Sequence, residues 1–391
     1  MIKDIILLLA GALLGNIDKI SRLIKQLWIN RINNTQKKIM GKINIYSWLI
    51  KYYEKNKTLN DLFNCNIGGF EVKIPFFSKA EWQVTETINP SEDNILVYSE
   101  PNRAFNVNNK LINYRKRLGQ ELFDAPTLYL DRIGKDKFKL FAKKCRYFEM
   151  ASNLFSLEEE TIQAAYKNKS TPIRNEYFKS VECCEKLLKK PFSLGCTTAL
   201  VLKTPKGWEL ALHKRSNKTV TYGNKLAVIP NYGLSIPLFA LQDNKKINLL
   251  VYNFIKEYCE ELFNYEEIIK LANTNRGDPL WFYSLQESKE LQSMLKDGKL
   301  ELKYLGFGFD LFNGTSNIAM AAIISDETYV DKFKHEIKVN WEVRKDNDTA
   351  PVIFVDYRDV KLREWLINDE YQFGSAFTIA KTIELLENNN L

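Results

Sequence analysis

A cluster of carboxylates in the C-terminal half of the chain is the first pattern that could carry chemistry. Lys256-Glu257-x-x-Glu260-Glu261 lies within residues 249–263, where apolar residues recur at helical spacing. That period places the three glutamates within an arc of about 100° on one helix. A hard divalent cation such as Mg²⁺ prefers several oxygen ligands from one rigid element, so Glu257, Glu260 and Glu261 are candidate metal ligands. An ordinary solvated helix face is the alternative.

A second pattern combines cations with aromatic rings directly after a predicted strand. Residues 212–225 read LHKRSNKTVTYGNK. Cationic donors bind phosphates, and aromatic rings stack on flat bases. We therefore predict a surface that binds a phosphate-bearing nucleotide, with a solvated hairpin tip as the alternative. The candidate residues of this surface are Lys214, Arg215, Lys218, Tyr222 and Lys225. Tyr232 and Trp281 are further candidates for stacking on a base.

The elements that must position these residues predict an α+β fold. In the C-terminal half, two apolar runs joined by Pro205-Lys206-Gly207 predict a β-hairpin, and helices are predicted at 249–263 and 374–386. The predicted strands there are 196–203, 208–213, 226–230, 304–309, 317–324 and 352–355. In the middle region the predicted strands are 70–76, 82–87, 95–98, 128–133 and 137–148, and the predicted helices are 157–166 and 176–189. These patterns divide the chain into residues 1–57, a middle α+β region at 58–190, and a nucleotide-binding domain at 191–391.

The N-terminal segment has a different character from the remainder. Residues 5–17 read IILLLAGALLGNI, which is shorter than the ~20 apolar residues that normally span a bilayer. With Lys3 snorkelling, a helix over residues 2–17 would be ~24 Å long, so we predict a short membrane helix. A secretory signal and a buried core helix are the alternatives. Its candidate membrane residues are Ile5, Leu8, Leu9, Leu13 and Leu14.

The positive charge of the chain is concentrated in the same segment. Residues 1–57 contain 11 Lys or Arg and three acids, a net charge of +8, whereas the other 334 residues contain 45 of each sign. Apolar and basic residues separate onto two faces over residues 17–28, as in helices at an anionic lipid surface. Basic residues after the apolar run predict that the later part of the chain is cytoplasmic. A neutral folded part argues against DNA or RNA as partners.

The cysteines and histidines give little support for a disulfide framework or a zinc site. None of the six cysteines, at positions 65, 145, 183, 184, 196 and 259, has C-x-x-C spacing, and only two histidines occur. We predict reduced, buried cysteines in a cytoplasmic domain.

Taken together, the C-terminal patterns resemble a NUDIX domain. The resemblance rests on the hairpin, the LHKRS segment, the VIPNYG strand end and the helix that carries Lys256-Glu257-x-x-Glu260-Glu261-Leu262. It implies a NUDIX-like α/β/α sandwich in which the box G-x5-E-x7-R-E-U-x-E-E-x-G-U holds divalent metals, usually Mg²⁺, against a diphosphate.

The box is only partly matched in this sequence. Asn248 and Gln242 stand where the family has Glu and Gly, Lys256 replaces Arg, and Phe263 replaces the second Gly. The three glutamates remain, which predicts that metal binding persists, whereas the other substitutions argue against standard hydrolysis. This incomplete match to the box favours a sensor of nucleotides over a hydrolase.

An apolar N-terminal helix joined to a degenerate NUDIX domain resembles the transmembrane–NUDIX effectors of bacterial CBASS antiphage defence, which carry a SMODS-associated NUDIX domain. The resemblance implies a cyclic oligonucleotide messenger made by a cGAS-like enzyme. It also implies that homo-oligomers form at the inner membrane, disrupt that membrane and thereby kill the cell.

Two other functions are compatible with the same residues. A membrane-tethered, Mg²⁺-dependent NUDIX hydrolase would cleave a nucleoside diphosphate derivative. A peripheral scaffold would bind no nucleotide.

Overall fold

The described part of the chain is a mixed α+β structure, as the sequence predicts. The computed structural model describes residues 44–56, 62–67, 69–91, 95–100, 104–118, 120, 122–134, 139–180, 184–216, 219, 222–236, 247–265, 280–343, 350–368 and 370–389. Its helices are α1 (Ile45–Asn56), α2 (Asn109–Arg117), α3 (Tyr147–Lys167), α4 (Pro172–Tyr177), α5 (Leu249–Phe263), α6 (Gln286–Lys296), α7 (Glu327–Glu336), α8 (Val360–Ile367) and α9 (Phe373–Asn388). Its strands are β1 (Leu62–Ile67), β2 (Phe70–Phe77), β3 (Glu86–Thr87), β4 (Leu96–Ser99), β5 (Pro126–Ile133), β6 (Leu140–Arg146), β7 (Leu194–Thr204), β8 (Gly207–Lys214), β9 (Leu226–Val228), β10 (Asn231–Gly233), β11 (Leu300–Asp310), β12 (Ser316–Ile324) and β13 (Val352–Asp356).

Ten strands form the main sheet. Its order is β1-β2-β11-β12-β7-β8-β13, and β10, β3 and β9 pair with β7, β11 and β8 respectively. The central strands β7 and β12 run parallel, with Ser316 opposite Leu194 and Ile324 opposite Leu202. All nine residues of β12 are buried, which explains its nearly continuous apolar sequence.

Helices cover both faces of the main sheet. Successive side chains of β7 point to opposite faces. On one face, Asn317 of β12 donates to the hydroxyl of Thr197 at 2.7 Å, and that hydroxyl also contacts Thr378 of α9. On the other face, Glu209 of β8 forms an ion pair with Lys334 of α7 at 2.5 Å. Helix α5 lies on this second face because its Tyr258 forms a hydroxyl contact of 2.5 Å with Tyr329 of α7.

The main sheet takes strands from both sides of residue 190, the predicted boundary between the middle and C-terminal regions. Strands β2 and β3 both pair with β11. The remainder of the middle region contributes a separate three-stranded sheet of order β4-β6-β5.

Some predicted elements of the middle region are wrong in extent. The strand predicted at 137–148 ends at Arg146, because the Glu149 carboxylate accepts the Arg146 N–H at 2.8 Å and starts α3. The strand predicted at 82–87 is a short 3₁₀ turn followed by the two-residue strand β3. The helix predicted at 176–189 is divided between the end of α4 and a 3₁₀ turn at Glu185–Lys189.

Helix α1 packs into the core of the folded part. Leu49 and Tyr53 are buried, and the hydroxyl of Tyr46 donates to the carbonyl oxygen of Lys73 at 2.7 Å. None of the helices in the described ranges has the length and apolar character of a membrane span. The predicted membrane helix and its five candidate residues, Ile5, Leu8, Leu9, Leu13 and Leu14, lie outside the described residues.

Candidate functional site

The predicted metal ligands lie on α5, the helix whose predicted and observed bounds coincide. The Asn248 side chain caps it by accepting the N–H groups of Leu250 and Val251 at 3.1 and 3.2 Å. A capped, buried helix holds its side chains in fixed positions, so the spacing read from the sequence is realised in three dimensions.

Lys256 lies between two of the three glutamates. Its ammonium is 2.8 Å from Glu257 and 2.9 Å from Glu260. Burial opposes the charged form of Lys256, but these two carboxylates outweigh it and raise the pKa of Lys256. Lys256 therefore carries its charge at neutral pH between these two carboxyl groups, and burial raises the pKa of Glu260 to about 8.

Glu261 points to a different part of the same face. Its carboxylate accepts the backbone N–H of Asn231 at 3.0 Å, and only 2 % of the residue is exposed. Burial raises the pKa of Glu261, the charges of Glu342 and Glu257 raise it further, and the Asn231 N–H and Arg215 oppose them. The structure thus brings the end of β10, the end of β8 and α5 together around one carboxylate.

Glu342 is a fourth acid that sequence reasoning missed. It follows α7, and the segment containing it packs against the end of α5, where the N–H groups of Lys338 and Asn340 donate to the carbonyl oxygens of Leu262 and Glu261. No spacing in the sequence links Glu342 to α5. We refer to Glu257, Glu260, Glu261 and Glu342 as the carboxylate cluster.

One buried cation, Arg215, acts on the carboxylate cluster from the end of β8, and His213 is buried two residues before it. Arg215 is 8 % exposed, and its Nε has no hydrogen-bond partner among the described residues. His213 is fully buried, and neither of its ring nitrogens has a described partner. Burial and the charge of Arg215 lower the pKa of His213 to about 3, so its imidazole is neutral at physiological pH.

The predicted nucleotide-binding residues separate into two groups. Arg215 and Lys225 are joined through the backbone, where the Arg215 N–H donates to the Lys225 carbonyl oxygen at 2.9 Å, and half-buried Lys214 pairs with Leu226 in the sheet. Tyr222 is also joined to Lys225 through the backbone, but its hydroxyl donates to Asp310. Lys218 lies outside the described residues.

Tyr232 belongs to the core in this structure. It is 6 % exposed, its hydroxyl lies 3.4 Å from the hydroxyl of Thr198, and burial raises its pKa well above the usual value. Trp281 is half-buried against Tyr265 and Phe282. A stacking role for either ring would require it to be uncovered and stays a prediction.

The carboxylate cluster fits a divalent cation only after a rearrangement. Among the described residues, no group of three His, Cys, Asp or Glu side chains has the geometry to hold a metal ion. The Lys256 ammonium already compensates Glu257 and Glu260, so a cation bound by both would have to displace it. Mg²⁺ binding therefore stays a prediction.

The raised pKa of Glu261 predicts a pH-dependent stability. Since the folded state holds a proton on this carboxyl more tightly than the unfolded state, the free energy of unfolding should fall as pH rises above about 4.5, by at most ~1.4 kcal/mol per pH unit for one proton. Glu261→Gln should flatten this slope while its amide oxygen still accepts the Asn231 N–H. Urea unfolding from about pH 5 to pH 8 measures it, with Glu336→Gln on the exposed face of α7 as control. Parallel slopes for wild type and Glu261→Gln would contradict the assignment.

The five described cysteines are free thiols. Cys145, Cys184, Cys196 and Cys259 are buried and Cys65 is half-buried. Burial raises the pKa of Cys65, Cys145 and Cys196 to about 12, so these thiols are not reactive nucleophiles at neutral pH.

No family model matches the chain. No curated protein matches it either. The function must therefore be inferred from the geometry of the described residues.

Proposed function

We propose that this protein is an effector of the CBASS type, whose NUDIX-like α/β/α sandwich binds a cyclic oligonucleotide as a sensor. We infer a sensor rather than a hydrolase from one observation, the position of Lys256 between Glu257 and Glu260. A hydrolase would use these carboxylates to hold metals that activate water. An ammonium held by these carboxyl groups occupies the place where such metals would bind, which suits binding better than turnover.

Two features of the fold support the NUDIX-like part of the proposal. The hairpin β7–β8 is followed by β9, β10 and then α5, and helices lie on both faces of the sheet that contains β7. Glu261 of α5 is bonded to Asn231 of β10, which joins the helix to the strand end read as VIPNYG. The finer assignment to the NUDIX fold stays part of the proposal.

The anchoring of α1 supports the membrane part. Leu49 and Tyr53 fix α1 in the core, and residues 1–43 precede this helix in the sequence. We propose that residues 5–17 insert in the bacterial inner membrane, that the NUDIX-like domain is cytoplasmic, and that bound messenger drives assembly of homo-oligomers that disrupt the membrane. Such a response requires the ligand to favour the assembled state.

Binding and turnover distinguish the proposal from its alternatives. Full-length protein in detergent should bind at least one of cyclic di-AMP, cyclic di-GMP, cyclic GMP–AMP or cyclic tri-AMP at about micromolar or tighter affinity by calorimetry, without product formation in Mg²⁺. Lys214→Glu, at the predicted surface, should weaken binding at least about tenfold. Lys206→Glu is the matched control, because Lys206 is exposed at the opposite end of β8.

Other outcomes of these experiments would support the alternative functions. Turnover of a nucleoside diphosphate derivative that is abolished by Glu260→Gln and Glu261→Gln would establish the hydrolase instead. Failure of every cyclic oligonucleotide and every nucleoside diphosphate to bind would favour a scaffold. Liposomes that contain the protein should leak a trapped dye only when the binding oligonucleotide is added.

A further inference from the structure

Tyr222 connects the predicted ligand-binding loop to a buried acid. Its hydroxyl donates to the two carboxylate oxygens of Asp310 at 2.8 and 2.7 Å. Asp310 is 2 % exposed and also accepts the backbone N–H of Phe312 at 2.8 Å. The carbonyl oxygen of Tyr222 accepts the N–H of Lys225 at 3.2 Å. The backbones of Lys225 and Tyr222 are therefore directly joined.

The backbone of Tyr222 is held in an unfavourable conformation. Its φ is +56°, in the left-handed region where a residue with a side chain is disfavoured by about 1–2 kcal/mol. The contacts to Asp310 and to the rings of Phe312 and Phe373, at 5.3 and 5.4 Å, hold it there. Backbone strain of this kind persists only where its surroundings over-determine it, and it is typical of switch regions.

Two routes lead from Tyr222 to α1. In the first, the Tyr222 ring packs on Phe373, and Phe373 packs on Tyr46 near the start of α1 with ring centroids 6.3 Å apart. In the second, Tyr222 packs on Phe312, whose carbonyl oxygen accepts a guanidinium N–H of Arg174 at 3.2 Å. Another guanidinium nitrogen of Arg174 donates to the hydroxyl of Tyr53, near the end of α1, at 2.8 Å.

We propose that the Tyr222–Asp310 contact is a latch that couples the ligand-binding loop to α1, the helix that follows the predicted membrane segment in the sequence. That the signal is a cyclic oligonucleotide rests on the proposed function. With the latch closed, Tyr222 supports both ends of α1 through Phe373 and Phe312. Ligand binding at Lys225 withdraws Tyr222, weakens that support and frees α1 to change its position relative to the sheet.

Hydrogen exchange of full-length protein in detergent tests the latch without any ligand. Tyr222→Phe removes only the hydroxyl, so the amides of residues 45–56 should exchange about tenfold faster, a change of ~1.4 kcal/mol in local opening. The amides of α5 should be unchanged. Tyr329→Phe is the matched control, because it removes a tyrosine hydroxyl contact to Tyr258 that is remote from α1. It should leave residues 45–56 at the wild-type rate.

Adding cyclic di-AMP, cyclic di-GMP, cyclic GMP–AMP and cyclic tri-AMP in turn separates this inference from the proposed function. If Tyr222→Phe opens α1 but none of these probes binds, the latch stands and the identity of the signal is wrong. If a probe binds and residues 45–56 keep their exchange rate in Tyr222→Phe, the latch is overturned and the proposed function stands. A uniform increase across α1 and α5 in Tyr222→Phe would also overturn it, because the hydroxyl would then support the whole fold.

Discussion

Replacing Lys256 with methionine is expected to lower the free energy of unfolding by about 3–5 kcal/mol at about pH 8. Methionine retains an apolar stem of similar length but cannot compensate Glu257 and Glu260, which lie 2.8 and 2.9 Å from the ammonium. Removing one partner of a buried ion pair leaves an uncompensated charge, which costs more than the pair contributes. Urea unfolding measures the loss. Lys332→Met on α7, which removes an exposed ion pair with Glu290, should change stability by about 0.5 kcal/mol or less.

The loss should become smaller as the pH falls. Burial raises the pKa values of Glu260 and Glu261, and removal of Lys256 takes away a charge that opposes this rise for Glu260. These carboxyls then take up protons in the folded state, so the repulsion is greatest above their pKa values and weakest at about pH 5. Lys256 itself stays charged over this range because its pKa is raised. An equal loss at both pH values would contradict an electrostatic origin.

The same variant tests whether the α5 glutamates can bind a metal. With Lys256 absent, millimolar Mg²⁺ should restore part of the lost stability, since a ligand that binds only the folded state stabilises it. Na⁺ at matched ionic strength controls for screening. Recovery at low pH without recovery in Mg²⁺ would mean that the glutamates repel one another but do not form a metal site.

Local sequence patterns predict the central elements well because local physics determines them. The apolar face and the Asn248 cap together define α5, whose predicted bounds of 249–263 are confirmed. The apolar runs of β7 and β12 predict strands because both are buried on two faces in the middle of the sheet. Helices α6, α7 and α8 were not predicted, because their short amphipathic patterns are weaker signals.

The candidate site is less predictable, since distant segments complete it. Periodicity places the three glutamates opposite the apolar face of α5, yet Glu260 and Glu261 are only 8 % and 2 % exposed. Residues 338–343 and β10 pack against this part of α5, where the N–H groups of Lys338 and Asn340 donate to its last carbonyl oxygens and the Asn231 N–H donates to Glu261. The partner of Tyr222, Asp310, is likewise 88 residues away in sequence. Such contacts depend on topology, which single-sequence patterns do not encode.

Arg174→Met is expected to lower the free energy of unfolding by about 3–5 kcal/mol, because Arg174 is fully buried and joins three elements. Its guanidinium donates to the hydroxyl of Tyr53 in α1, to Thr161 in α3, and to the carbonyl oxygens of Leu311 and Phe312 after β11. Among the described residues no carboxylate forms an ion pair with it, so carbonyl and hydroxyl dipoles solvate its charge. Methionine fills much of the volume but leaves these acceptors buried without a donor.

The opposing effect is the desolvation of the guanidinium, which an apolar side chain avoids. The free energy saved by avoiding desolvation is smaller than the cost of leaving the four acceptors without a donor only if the surrounding backbone cannot relax. Water cannot replace the donor, because the rings of Trp48, Tyr53 and Phe178 lie within about 6 Å of the charge and keep water out. Urea unfolding gives the net value, with exposed Arg358→Met expected to change little. A variant as stable as wild type would mean that the cost of desolvating Arg174 outweighs the stabilisation from its four hydrogen bonds. The route from Phe312 through Arg174 to Tyr53 would then contribute nothing to holding α1.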